Sequence, residues 1–170
     1  ASVYSSGPFP WLLTEVDSIQ EDTTFTGTKT NCEVNGSSLR LTIDGNGDVA
    51  SVGTYLFADS YSGAAVAVHR VVVTIDAAIV NEQNMFDSRT GLMDSWGNFD
   101  GDPAQAASAD AKVYCRWKDA SGDSFGSWQL VNGAGEFSGR YAEFKAELTS
   151  INPASNIYLS QLRVKLYTYD

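Results

Sequence analysis

Apolar and polar residues alternate with a period of two in four separate stretches of this chain, and nothing else in the sequence restricts its fold as much. In Leu162-Arg163-Val164-Lys165-Leu166 every second side chain is aliphatic and those between are basic. Successive side chains of an extended strand point to opposite faces, so one face of such a stretch is buried and the other meets solvent. Phe144-Lys145-Ala146-Glu147-Leu148 and Ser38-Leu39-Arg40-Leu41-Thr42-Ile43-Asp44 follow the same grammar. Lys112 to Lys118 follows it again and places Val113, Cys115 and Trp117 on the core side. No segment shows a persuasive 3.6-residue period.

Turn residues punctuate these stretches. Asp44-Gly45-Asn46-Gly47-Asp48 holds residues that tolerate positive φ and is expected to close a hairpin towards Gly53-Thr54-Tyr55-Leu56-Phe57. Ser121-Gly122-Asp123 separates the Trp117 strand from a further strand over Phe125 to Leu130, and Asn132-Gly133-Ala134-Gly135 leads into Phe137. Asn152-Pro153 links the last two strands. Val66 to Ile75 is nearly continuous apolar, as expected of a central strand buried on both sides or at a sheet junction. Short strands at this spacing predict an all-β, antiparallel β-sandwich or barrel.

At 170 residues the chain has the length of one domain. Residues 31–170 are expected to form a single β-sandwich, and residues 1–30 an N-terminal arm or first strands that contact a neighbour. Trp11, after Pro8 and Pro10, is expected to anchor the first strand. No charged-then-apolar leader precedes a cleavage site, so Ala1 is expected to open a mature chain or a piece of something longer. The segment 81–110 is the exception to the strand pattern. It is rich in Asp and Gly, ends in an Ala-rich run, and is too long for an idle connection, so it is expected to bind something or to pack on a neighbour.

The formal net charge is −10, from 21 acidic residues against 11 Lys and Arg. Phosphate backbones need clustered cations, so nucleic acid is excluded as a partner. No apolar run reaches the length of a membrane helix, and no membrane insertion is expected. Cys32 and Cys115 are too few for a zinc site, and both fall at inward parity. The residues favour two buried free thiols, with a disulfide left open.

Catalytic signatures are sparse. His69 is the only histidine and lies in the most apolar strand, where a structural role is expected. Gly45-Asn46-Gly47 lacks the Lys and the helix of a phosphate loop. With so many acids, carboxylate pairs such as Asp94, Asp100 and Asp102 arise by chance, and a carboxylate-based glycan hydrolase is carried only as an alternative. Asp44, Asn46 and Asp48 alternate oxygen donors as in the first half of a calcium loop, but Tyr55 stands where the bidentate Glu belongs. A plain turn is favoured over calcium there, and no other cofactor is expected. The candidate ligand-binding residues are Asp94, Trp96, Asn98 and Phe99, an aromatic face beside acid and amide oxygens, the mixture a sugar needs. Trp96 and Phe99 either face a partner in this way or fold back onto the core. Trp117 and Trp128 sit at strand positions and are expected in the core.

The last third of the chain carries a resemblance. The run Val113 to Trp117, then Ser124-Phe125-Gly126-Ser127-Trp128-Gln129, then Gly135 through Arg140 to Leu148, closing with Leu159-Ser160-Gln161-Leu162-Arg163-Val164, resembles a module of bacteriophage tail-tip and tail-fibre host-specificity proteins. Gly53-Thr54-Tyr55 and Asp94-Ser95-Trp96 are similar to the same module upstream. The resemblance covers residues 35 to 168, most clearly from 111 onward. It implies a jelly-roll or galactose-binding-like sandwich used for tail assembly or host-surface attachment, and brings no catalytic residues. It further implies a place in the virion tail, assembled in the host cytoplasm, with other tail proteins and a bacterial surface glycan or outer-membrane receptor as partners, and a homotrimer as the form of the fibre. The alternative is an extracellular carbohydrate-binding module of a secreted glycosidase. Arg140 follows a Gly-bounded turn, where its guanidinium is expected to pin a loop carbonyl or a carboxylate.

Overall fold

Where the sequence alternates, the side chains alternate between core and solvent. Val113, Cys115 and Trp117 are buried, as are Phe144, Ala146 and Leu148, and Leu162, Val164 and Leu166, while their neighbours in sequence are not. The computed structural model describes residues 13–82 and 109–169, and these residues are all-β. The strands in chain order are β1 (Leu13–Asp22), β2 (Thr28–Thr30), β3 (Cys32–Asn35), β4 (Ser38–Leu41) and β5 (Val52–Leu56), then β6 (Tyr61–Asn81), β7 (Ala109–Lys118), β8 (Gln129–Val131), β9 (Ala134–Ser150) and β10 (Ser155–Tyr169).

All strand pairs are antiparallel, and three long strands hold the sheet together. The first half of β6 lies along β9, with Tyr61 opposite Ala142 and Val72 opposite Ala134. The second half lies along β10, from His69–Thr168 to Asn81–Ser155. Beyond β6, β9 carries β5 on one edge and β7 on the other. The far edge of β10 takes β4 and then nine residues of β1. Long strands that change partners halfway pass from one layer to the other, giving a jelly-roll-type sandwich drawn almost into a barrel.

The main path runs β2-β5-β9-β6-β10-β4-β3, and its two ends are consecutive in the chain. They meet at Asn31, in the left-handed region at φ 53°, whose carbonyl accepts a 3.0 Å bond from Thr42 N. A Cβ on Gly53 would lie 2.7 Å from that carbonyl oxygen, so a glycine there lets β5 reach the closing corner. Inside, Leu39, Leu41, Tyr55, Phe144, Leu148, Leu159 and Leu166 have no exposed surface. Burying each such side chain is worth ~1.5–3 kcal/mol. Cys32 and Cys115 are both buried and free, and burial pushes the Cys115 thiol up to about 11.

Three expectations need revision. The Asp44–Asp48 turn is closed by the Ile43–Val49 bridge, but β4 and β5 do not pair. Beyond that bridge β4 is taken by β10 and β3, and β5 by β9 and β2. Phe125 to Trp128 is not a strand, and only Gln129–Val131 pairs with β7. Finally, β6 stands at the junction of the layers and is not buried on both sides, because Val66 and Val68 are 52% and 49% exposed.

Candidate binding face on β7 and β9

The outward parity of β7 is Lys112, Tyr114, Arg116 and Lys118, and that of β9 is Tyr141, Glu143, Lys145 and Glu147. The two strands run in register, with Lys112 opposite Glu147, Tyr114 opposite Lys145, Arg116 opposite Glu143 and Lys118 opposite Tyr141. Each cross-strand pair therefore joins cation to anion or cation to aromatic ring, the pairings that stabilise neighbouring strands by ~0.2–1 kcal/mol each. Arg116 donates to Glu143 Oε2 from Nε at 2.8 Å and from Nη2 at 2.5 Å. Lys145 Nζ stands 5.4 Å from the Tyr114 ring centre, and Lys118 Nζ 5.6 Å from that of Tyr141.

The connection from β7 to β8 lies over this face. Gly126 N donates to Trp117 O at 3.0 Å, Lys118 Nζ to Ser121 O at 2.8 Å, and Ala120 N to Asp123 Oδ2 at 3.1 Å. Fixed in this way, the connection sets Phe125 over Arg116 (5.0 Å) and Lys118 (4.6 Å), and Trp128 over Arg116 (4.5 Å) and Lys145 (4.8 Å). Trp128 is therefore half-buried on the outside of the sheet and does not reach the core. The reason is local: residues 125–128 form no strand, so no alternation carries Trp128 inward, and the Arg116 guanidinium and Lys145 ammonium hold its ring on the outer face. With Arg140, this region holds five of the eleven Lys and Arg of the chain. Arg140 Nε donates to Gly63 O at 2.8 Å, so the carbonyl it pins belongs to the irregular stretch of β6 and not to a loop.

A half-exposed aromatic cluster (Tyr114, Phe125, Trp128, Tyr141) over cations held by hydrogen bonds and rings offers apolar faces for C–H groups. Between them lie donors for hydroxyl or anionic oxygens. Sequence reasoning missed Phe125, Trp128 and Tyr141 as surface groups. The signal it had was the basic-aromatic outward parity from Lys112 to Lys118.

The residues singled out from the sequence fall elsewhere. Asp94, Trp96, Asn98 and Phe99, with Trp11, Asp100 and Asp102, lie outside the described residues. The described chain stops at Glu82 and resumes at Ala109, on the two sides of the β9–β10 turn, where Asn81 pairs with Ser155 and Ala109 with Ser150. Glu82 is fastened there. Its Oε1 accepts a bond from Asn156 Nδ2 at 3.2 Å and another from the Tyr158 hydroxyl, with Arg40 Nη1 at 3.5 Å. In the Asp44–Asp48 turn, Asp44 Oδ1 accepts from Asn46 N at 2.8 Å and Asp48 N at 2.9 Å, and Gly47 adopts φ 84°. Among the described residues no three His, Cys, Asp or Glu side chains gather as a metal site would require.

His69 lies within the core, 1% exposed and stacked on Trp117 at 5.0 Å, with Trp117 stacked in turn on Phe137. Burial lowers the His69 pKa, with a smaller opposing effect of the Ala67 backbone. Compared with protein-family models, with curated proteins and with solved structures, the chain matches none.

Proposed function

We propose that this chain is a non-enzymatic structural and adhesion domain of a bacteriophage tail fibre or tail tip. In that reading it contributes to tail assembly and attaches the virion to a glycan or outer-membrane receptor on the host surface. The observation that carries the reading is the β7–β9 face, a hydrogen-bonded platform where Trp128, Phe125 and Tyr141 alternate with Arg116, Lys118 and Lys145. Sugar rings stack on such aromatic faces while their hydroxyls or acidic substituents take the cations. The phage-tail resemblance is densest over the same residues, from 111 onward. A carbohydrate-binding module of a secreted glycosidase would use the same face, so the platform supports glycan binding under either parent protein.

The test removes the platform and leaves the sandwich. Trp128→Ala takes away a half-exposed ring outside the core, so its circular dichroism and melting should stay close to wild type. Adsorption to host cells, or capture on a surface-polysaccharide array, should fall at least tenfold. Full adsorption by a folded Trp128→Ala protein would remove the face from consideration. Light scattering then separates the two parents, because a trimer fits the fibre and a monomer the glycosidase module.

A further inference from the structure

Two β-bulges face each other across the end of β10 and leave a hollow that ladder pairing would have closed. In β6, residues 63–66 stand opposite the single residue Arg140 of β9, between the pairs Ser62–Tyr141 and Ala67–Gly139. In β1, Val16 is an extra residue between Glu15–Tyr167 and Asp17–Leu166. Bulges re-aim side chains and release backbone groups from the ladder, and they concentrate next to sites. The hollow has a volume of about 370 Å³, within the range of small-ligand pockets. Val16, Gly63, Ala64, Ala65 and Ala67 make low walls, Ser62 and Thr168 contribute hydroxyls, and Tyr61 and His69 complete the lining.

Behind that lining lies an unsatisfied polar atom. The Tyr61 hydroxyl and His69 Nε2 share a hydrogen bond at 3.2 Å. His69 Nδ1 is buried with no hydrogen-bond partner. A buried orphan of this kind costs ~1–3 kcal/mol, and among the described residues His69 Nδ1 shares that state with Arg40 Nε, Ser155 Oγ and Arg163 Nε, none of which lines the hollow. Among the described residues no Lys, Arg, Asp or Glu side chain lines the hollow. Burial keeps the imidazole neutral near pH 7, and burial with the nearby Asp17 carboxylate keeps the Tyr61 phenol protonated. A charged ligand would find no counter-charge in such a lining. An uncharged ring with one apolar face and several hydroxyls fits it: C–H groups against the alanines and Val16, hydroxyls against Tyr61, His69, Ser62 and Thr168.

We propose that the hollow between the β1 and β6 bulges binds a single uncharged sugar ring, with Tyr61 and His69 as its hydrogen-bonding floor. The site is separate from the β7–β9 face and does not depend on the adhesion reading. The two are joined through β9, by the Arg140 bond to Gly63 O and by the Ser62–Tyr141 strand pair.

Glucose, galactose and N-acetylglucosamine serve as probes in NMR titrations that follow the His69 ring nitrogens, with glucuronate as the charged control. At least one neutral sugar should shift the His69 signals saturably with a millimolar dissociation constant, and glucuronate should bind at least tenfold more weakly. Ala65→Trp fills the hollow from an exposed position on the bulge and should abolish the shifts in a protein that melts like wild type. Tyr61→Phe should weaken binding at least tenfold, whereas Trp128→Ala should leave it unchanged. Absence of saturable His69 shifts with all three neutral sugars would overturn the proposal. So would binding that survives Ala65→Trp, or glucuronate binding as tightly as the neutral probes. Loss of cell adsorption in Trp128→Ala with His69 shifts retained would uphold both sites, because each variant reads only its own.

Discussion

Tyr55 uses one hydroxyl for two partners. It donates to Glu21 Oε2 at 2.8 Å and accepts from Gly27 N at 2.8 Å, while Glu21 Oε1 accepts from Ala58 N at 2.9 Å. These bonds sew β1, the turn after it and the end of β5 together around a carboxylate that is only 6% exposed. Burial, opposed by the Gly27 N–H bond and reinforced by Glu21, raises the Tyr55 pKa, so the phenol remains a donor throughout the physiological range. Tyr55→Phe should therefore cost more than its volume suggests, because it strips a donor from a buried carboxylate and an acceptor from a backbone N–H. The expected loss is ~1–3 kcal/mol, read from urea unfolding with an unchanged m-value. A loss within error of zero would mean that water replaces the hydroxyl and that the carboxylate is not truly enclosed. Glu21 was legible only in part: it shares the inward parity of Ile19, but an acid at an inward position looks like a break in the pattern until its partner, 34 positions away, is known.

At the scale of strands, alternation reports which way a side chain faces and says nothing about which strand lies beside it. The buried faces of β4, β7, β9 and β10 were therefore readable from Leu39, Val113, Phe144 and Leu162, while the partner change halfway along β6 was not. Nor were the bulges readable, because Ala64 to Val68 is a featureless small-apolar run whose register is set by its neighbours. Trp128 illustrates the opposite difficulty. Its aromatic character suited a core strand, yet the Arg116 and Lys145 that hold it belong to other strands. The candidate residues in the 81–110 segment lie outside the described residues, while the β7–β9 face followed from outward parity that was visible in the sequence. Strand crossing also makes a sharp demand at Gly139, which β9 brings against the core. A Cβ there would stand 2.9 Å from Trp117 Cε3 and 3.0 Å from its Cβ. Trp117 cannot yield, because its ring is stacked between His69 and Phe137. Gly139→Ala should lower stability by ~1–3 kcal/mol, as overpacking does, and shift the Trp117 emission on the way. An unchanged melting temperature would mean that β9 can move away without disturbing the β6–β9 pairing.

For the whole molecule, the question is how an almost closed sheet with a net charge of −10 responds to acid. Carboxylates ordinarily titrate near pH 4, so between pH 7.5 and 5 most of the acidic surface keeps its charge. The group that changes in that window is His69, at the junction where β6 passes from β9 to β10. The side chains packed around it are Tyr61 on its own strand, Trp117 of β7, Phe137 of β9 and Thr168 of β10, none of them charged near neutrality. Its pKa in the fold lies below the ordinary 6.5. The unfolded chain therefore takes up the proton first as pH falls, and the folded chain does not. Protons bound by the unfolded state and not by the native one make stability rise with pH, so the contribution is intact above pH 6.5 and drains away as pH falls below it towards the folded value. One proton limits the slope to about 1.4 kcal/mol per pH unit. Urea unfolding measured from pH 7.5 to 5 should accordingly show a falling free energy, and His69→Phe, which keeps a ring against Trp117, should flatten that fall whatever it does to stability at pH 7.5. A wild-type curve flat down to pH 5 would mean that the imidazole titrates alike in the folded and unfolded chain. A free energy that rises as pH falls from 7.5 would mean that the fold favours the protonated ring, with a counter-charge that the packing around His69 does not contain. A His69→Phe curve as steep as wild type would instead move the acid sensitivity to the carboxylates, with the Glu21–Tyr55 pair the first to test.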